Sequence, residues 1–439
     1  MKETIHEVLQ FVEENDVKFI RLVFCDIFGM QKNISIMPWE LPRAFERGIS
    51  FDGSAVRGFM NVDESDLFIV PDAATLSILP WRPSQGRVIR FFCDVKYPDG
   101  TPFEGNSRSL LQEASRQAEQ MGYVCKIGSE CEFYLFETDE KGYPTRIPHD
   151  YAGYCDIAPK DRGENVRREI CLSLEQMGIK PESSHHEQGP GQNEIDFQYS
   201  DAVTAADNLV TFRAVVRNIA ARNGLYATFL PKPFPDQSGS GLHINLSLYK
   251  DGVNLFKTSG EEHSQEAESF MAGSLNHISD ITAFLNPLPN SYRRFGAFEA
   301  PKYITWSHQN RSQLIRIPAS AGEYCRMELR SPDPSCNAHL AFALLLFAGL
   351  DGIRNRMDLP KPRDFDLYTV SPEKLQNIEQ LPKNLGEAIE KAEQSEFVRH
   401  IVPERLLKNY CKEKRIQWEN YSAAEDKERL DQDFYFVNV

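Results

Sequence analysis

Apolar positions along the chain follow two different rhythms. Over the first hundred residues they come in short runs: VKFIRLVF, NISIM, LFIVP, TLSILP and RVIRFFCDV. Gly, Pro and Asp sit between the runs, so each reads as a strand with a turn after it. MKETIHEVLQFVEEN precedes them as an amphipathic helix. The polar stretch KYPDGTPFEGNSR (96–108) marks a domain boundary. Beyond it the period lengthens, and SLLQEASRQAEQMG, NVRREICLSLEQMG, NLVTFRAVVRNIAARNG and HLAFALLLFAGLDGI predict helices. Its richest run, AFALLLFAGL, is too short for a membrane span and reads as a buried helix.

Four later segments alternate strictly, and their polar faces are unusual. IGSECEFYLF (127–136) points Glu130 and Glu132 the same way, about 7 Å apart, with Cys131 on the opposite face. GLHINLSLY aligns His243, Asn245 and Ser247; CRMELRS aligns Arg326, Glu328 and Arg330; GQNEIDF aligns Glu194 and Asp196 just after HHEQGPG, which carries Glu187. A half-solvated antiparallel sheet produces the same alternation, and each strand alone fits that simpler reading. Together the faces differ from solvated ones, because they carry carboxylates, one imidazole and arginines but no lysine. Glu130, Glu132, Glu187, Glu194, Glu328 and His243 make a donor set for more than one hard divalent cation, Mg²⁺ or Mn²⁺ rather than zinc. Cations would also hold two neighbouring acids without protonating either.

Composition narrows the partners. The 439 residues allow one large or two unequal domains. A formal net charge of −15 argues against nucleic acid or an anionic membrane. Nine cysteines without a Cys-x-x-Cys pair read as reduced thiols of a cytoplasmic protein. Arginines cluster between Arg293 and Arg330, and hard metals beside arginines point to phosphoryl transfer. No GxxxxGK[ST] loop or kinase signature occurs.

With those motifs in view, the chain resembles the bacterial and archaeal type I glutamine synthetases almost end to end. FDGSAVRGF, ESDLFIVPD, IGSECEFYLF, HHEQGPGQNEIDF, TFLPKPF, GSGLH, NSYRRFGAFEAP, ITWSHQNRSQLIRIP and RMELRSPDPSCN carry the likeness in order. It implies an α+β fold: a small N-terminal β-grasp-like domain (1–104) and a larger catalytic domain (105–439) with a curved antiparallel sheet flanked by helices. It also implies a homo-oligomer, a dodecamer of two hexameric rings with shared active sites. The implied reaction is ATP-dependent ligation of ammonia to the γ-carboxylate of glutamate through γ-glutamyl phosphate, with two or more Mg²⁺ or Mn²⁺ per site.

By that resemblance Glu132, Glu187 and Glu194 hold one metal, and Glu130, His243 and Glu328 the other. Arg311 spreads charge on the moving phosphoryl group. Gly239, Arg294, Glu299 and Arg330 contact glutamate. Asp52, supplied by an adjacent subunit, and Glu299 hold ammonium and take its proton. Glu182, Tyr199, Asn245, Ser247, Arg311, Arg316 and Arg326 match nucleotide contacts. Asn245 stands where the family usually has His, Ser238 where it has Asn, and the flap NSYRRFGAFEAP is one residue shorter than the common form. The usual Trp-Glu…Tyr-Leu ending is absent.

Two other functions remain open at this stage: a γ-glutamyl-amine ligase of the same family, and a catalytically silent structural or regulatory ring. His185, His186 and His339 read as structural histidines, EDKERLDQD as a solvated helix face, and Tyr368 lies near a position nucleotidylated in some relatives.

Overall fold

The computed structural model describes residues 2–60, 62–257 and 263–439, so Met1 of the first predicted helix lies outside it. That helix runs Lys2–Glu14. The predicted strands that follow assemble in the order Gln31–Ile36, Val17–Cys25, Arg87–Lys96, Asp66–Pro71, Ile49–Asp52. Val17–Cys25 and Arg87–Lys96 run parallel at the centre, as expected for two strands buried on both sides, and the other pairings on this path are antiparallel. TLSILP forms only the two-residue strand Ser77–Ile78. Asp72 caps the 3-10 turn Ala73–Thr75 by accepting from Ala74 N, and that local bond takes the start of the segment out of the sheet. Ile49–Asp52, which carries Asp52, was not foreseen; at four residues it is too short to show alternation.

The second sheet holds the functional strands. Its path is Trp306–His308, Ile315–Ile317, Met327–Leu329, Leu242–Lys250, Val124–Thr138, Gln192–Asp201, Pro181–His186. Val124–Thr138 lies between Leu242–Lys250 and Gln192–Asp201, antiparallel to both. CRMELRS contributes just the three residues Met327–Leu329. Register shifts at Phe197/Ser200 and Phe136/Thr138 interrupt the ladders, and such irregularities bend strands.

One face of this sheet is apolar and dry. Ile127, Cys131, Phe133, Ile195, Leu242, Ile244 and Leu246 are fully buried in one core with Leu209, Phe212 and Leu344 from the helices. Helices Gln265–Leu285 and Ala338–Arg354 pack so closely that a Cβ on Gly273 would stand 2.2 Å from Ala348 O. His339 is buried on the second of these and pairs with Asp207 at 2.7 Å, as a structural histidine does.

Arg108 ties the first sheet to a helix of the catalytic part. Its guanidinium reaches Asp94 (2.9 Å) of the first sheet, Asp72 (2.8 Å) in the turn after Asp66–Pro71, and Asp207 (3.0 Å) of helix Ala202–Arg222. The acidic tail EDKERLDQD is largely exposed, as expected, with one exception. Asp431 is buried rather than solvated, because Asn290, Arg293 and Tyr421 all bond its Oδ2.

Candidate functional site

Register converts the alternation into a cluster. His243 stands directly across from Glu130, and on the other flank Asp196 faces Glu130 while Glu194 faces Glu132. Asn245 faces Glu328 on the third ladder. The opposite faces of these strands are in the core, so the acids have only the concave side left.

Two groups of donors converge there. Glu130, His243 and Glu328 bring ligand atoms within 4.8 Å of one another, and so do His185, Glu187 and Glu194. His243 Nδ1 lies 3.2 Å from Glu130 Oε2 and 3.8 Å from Glu328 Oε1. His185 Nε2 meets Glu187 Oε1 at 2.8 Å, so this histidine belongs to the donor set as well as to the scaffold. His186 is structural: it is fully buried on Asp150. Glu132 lines the same basin, but Gln192 Nε2 (2.8 Å) and Gly241 N (2.9 Å) both donate to its Oε2.

Charge is poorly balanced within the protein alone. Burial raises the carboxyls of Glu132, Glu194 and Asp196, with Glu132 and Asp196 adding repulsion at Glu194. Burial also works against Glu130, yet His243, Asn245 and Arg326 bring it down to about 2. Glu328 is lowered against its burial by Arg330, His243 and Arg316, both arginines bonding its carboxylate. Asp196 Oδ1 is buried with no hydrogen-bond partner. Carboxylate oxygens with one imidazole per group, crowded and partly unpartnered, are donors that hard divalent cations satisfy. The residues fit Mg²⁺ or Mn²⁺, and the site is a divalent-metal site.

The basin measures about 910 Å³, and its far wall is cationic. Arg294, Arg311, Arg316, Arg326 and Arg330 line it together with Gly239 and Glu299. Arg294 is buried and donates to Ser331 O (3.0 Å) and Pro332 O (3.3 Å). Its chain packs under Gly239, where an added Cβ would sit 2.7 Å from Arg294 Cγ and 2.4 Å from Pro231 O. Glu299 Oε2 stands 3.7 Å from Arg330 and 4.0 Å from Arg311. Phe298 and Glu299 both have left-handed backbones, with φ of 49° and 62°. Such residues cost on the order of 1–3 kcal/mol each and persist where surrounding structure imposes them.

A smaller pocket of about 220 Å³ adjoins the basin, sharing Glu130, Ser183, Asp196 and Arg326 with it. Glu182, Tyr199, Asn245 and Ser247 line this pocket. Glu328 is buried and lines neither cavity itself, meeting the basin through His243, Arg316 and Arg330, whereas Asp52 stands apart. It lines neither cavity, is exposed, and accepts from Ser54 N at 2.9 Å and Ser54 Oγ at 2.6 Å. Those bonds lower its carboxyl. Gln192, Tyr134 and Asp196 are contributors that sequence reasoning did not select. Position gave a signal for two of them, since Gln192 and Asp196 flank Glu194 at two-residue steps on one strand.

Comparison with known proteins agrees with this geometry. The family described as glutamine synthetase, catalytic domain, matches residues 104–432, and glutamine synthetase, beta-Grasp domain, matches 16–98. A glutamine synthetase of Clostridium saccharobutylicum is 46% identical over 425 residues, covering 96% of each chain. One of Methanosarcina mazei is 46% identical over 426 residues, covering 96% of this chain and 95% of the relative. Among solved structures, a GmaS/ADP complex superposes with a TM-score of 0.87 at 32% identity, covering 98% of this chain and 99% of the other. Plasmodium falciparum glutamine synthetase shares the fold, with a TM-score of 0.86 at 24% identity over 98% of each chain.

Proposed function

The chain belongs to the glutamine synthetase family, and we propose that its basin and pocket divide the family's chemistry between them. The protein is an ATP-dependent ligase that joins ammonia to glutamate to give glutamine. One observation carries the division of labour. Glu130, His243, His185, Glu187, Glu194 and five arginines line a single basin, with Glu328 buried beside His243, and that basin shares Glu130, Ser183, Asp196 and Arg326 with a separate pocket.

In this reading Glu182, Tyr199, Asn245, Ser247 and Arg326 hold the nucleotide, and the phosphates extend toward the basin. Glu130, His243 and Glu328 hold one cation; Glu132, Glu187 and Glu194 hold the other, with His185 beside them. Bound Mg²⁺ or Mn²⁺ supplies neutralising charge on the phosphates. Arg311 and Arg316 neutralise the phosphoryl group as it moves to the γ-carboxylate. Buried Arg294 and Arg330 fork onto the substrate carboxylate, where a planar guanidinium holds orientation better than an ammonium. Gly239 lets the substrate approach the backbone. Glu299 accepts the proton of the attacking ammonium, and Asp52 of an adjacent copy attracts that cation. Its exposure at a strand end, away from both cavities, supports a role across a subunit boundary. We further assign the chain to the bacterial and archaeal type I branch, as a cytoplasmic dodecamer of two rings, with the domains dividing at residues 104 and 105.

A primary amine as acceptor is the second reading. It is supported by Glu299, whose side chain is 45% exposed at the rim and leaves room for an alkyl group. Phosphate release from ATP, Mg²⁺ and glutamate, with ammonium or a panel of amines, separates the readings. Ammonium-dependent release is expected. Release with amines alone would move the assignment to an amine ligase, and none with any acceptor would leave a silent ring.

A further inference from the structure

We propose that Gln192 is a positioning residue that locks the Glu132 carboxylate to the loop carrying Gly239, the substrate loop of the functional reading above. Its side chain is fully buried at the start of the strand Gln192–Asp201. Nε2 donates to Glu132 Oε2 at 2.8 Å and to Gly239 O at 3.2 Å. Oε1 accepts from Gly189 N at 2.9 Å. Tyr134 Oη lies 3.3 Å from the same oxygen and donates its single proton to Ser238 O at 2.5 Å.

These partners fix the amide's orientation. Gly189 N–H can only face an oxygen, and a carboxylate plus a carbonyl can only face the NH₂ group. A flipped amide would set acceptor against acceptor at Glu132 and Gly239. No other natural side chain offers two donors and an acceptor at this reach: Glu lacks the donors and Met lacks both. The turn is built for it as well, since a Cβ on Gly189 would stand 2.0 Å from Tyr134 Oη.

The segments joined are three parts of the site. Glu132 lies on Val124–Thr138, Gly189 is in the turn after Glu187, and Gly239 sits on the loop over Arg294. Both donors to Glu132 fall on Oε2, from Gln192 and from Gly241 N, which leaves Oε1 available to a cation. Gln192 therefore sets the donor oxygen of one cation group and the height of the substrate loop with the same two protons. None of its bonds reaches Glu182, Tyr199 or Ser247 of the nucleotide pocket. The coupling is accordingly between metal and glutamate, sparing ATP. Both halves rest on the functional reading above, which gives Glu132 to a cation and Gly239 to glutamate.

Gln192→Met keeps length and burial while removing all three bonds. Mn²⁺ binding, followed by titration without substrates, is expected to weaken about 10–100-fold at one class of site, as loss of a partner behind a metal ligand does. The KM for glutamate should rise on the order of tenfold while that for ATP stays within about twofold, since only glutamate loses preorganised contacts. Unchanged Mn²⁺ affinity and glutamate KM would overturn the proposal, and so would glutamate and ATP KM values rising in step, which is general loosening. If Gln192→Met does not fold, Tyr134→Phe decides. It frees Ser238 O and should raise the glutamate KM with Mn²⁺ affinity intact, and an unchanged KM counts against the lock. A wild-type protein without glutamate-dependent phosphate release refutes the functional reading instead, and the Mn²⁺ titration of Gln192→Met still judges the lock.

Discussion

Asn245 donates its side-chain amide to Glu130 Oε1 at 2.9 Å, and its carbonyl accepts from Arg326 Nε at 2.8 Å. A member of one donor group is thus joined to a cationic residue of the smaller pocket, proposed above to hold nucleotide, through one neutral side chain. Asn245→Ala breaks both bonds. Mn²⁺ affinity of that group should fall by roughly tenfold or more, and ADP should tighten Mn²⁺ less in the variant than in the wild type. Mn²⁺ titrations with and without ADP measure both.

Glu328 is wedged between Arg316 and Arg330, and neither it nor Arg330 has appreciable exposure. Removing one member of such a group leaves buried charge uncompensated. Glu328→Ala should destabilise the metal-free protein by about 3–5 kcal/mol, read by denaturant unfolding, besides abolishing phosphate release. A fall under about 1 kcal/mol would mean that the arginines find other partners, as exposed pairs do.

His277 offers a pH-dependent test away from the site. It lies 2.8 Å from Asp351 and 3.9 Å from Asp280 and stacks on Phe397. Burial opposes its charge, but the two aspartates raise it above the model-compound value of 6.5. A raised histidine contributes stability that is complete below its unfolded value and is lost as pH rises through the folded one. The stability difference between wild type and His277→Gln should be largest below pH 6.5 and decline at higher pH. A difference that is flat with pH, or that grows toward alkaline pH, contradicts the assignment.

Asp52 tests the shared site. Asp52→Ala and Arg311→Ala should each lose nearly all activity. Dissociated and reassembled together at equal amounts, they should regain about a quarter of wild-type activity, because one site in four would combine both intact residues across a boundary. Mixtures as inactive as the parents would place both residues in the site of one chain.

Much of the site is legible in advance because strand alternation is local. Once IGSECEFYLF is extended, Glu130 and Glu132 must share a face and Cys131 must oppose them. What alternation did not show depended on partners off the strand, some close in sequence and some distant. EDKERLDQD is solvated except at Asp431, which Asn290 and Arg293 approach from elsewhere in the chain. His185 is hydrogen-bonded, as a structural histidine would be, and the bond to Glu187 also places it in a donor group that alternation did not show. TLSILP looks like a long strand until Asp72 O takes the N–H and the hydroxyl of its first residue, Thr75.

The sequence by itself determined the faces: which side chains of each strand stand with the acids and which enter the core. It also carried the ordered motifs that identify the family. Only tertiary structure decided which residues meet. Register sets His243 and Asp196 on either flank of Glu130 and Glu194 beside Glu132, and it delivers Gln192 to Glu132 and Gly239. Alternation is a property of one strand's backbone geometry. Register is a property of pairs of strands, set by how well their buried faces fill one core, and no single strand contains that information.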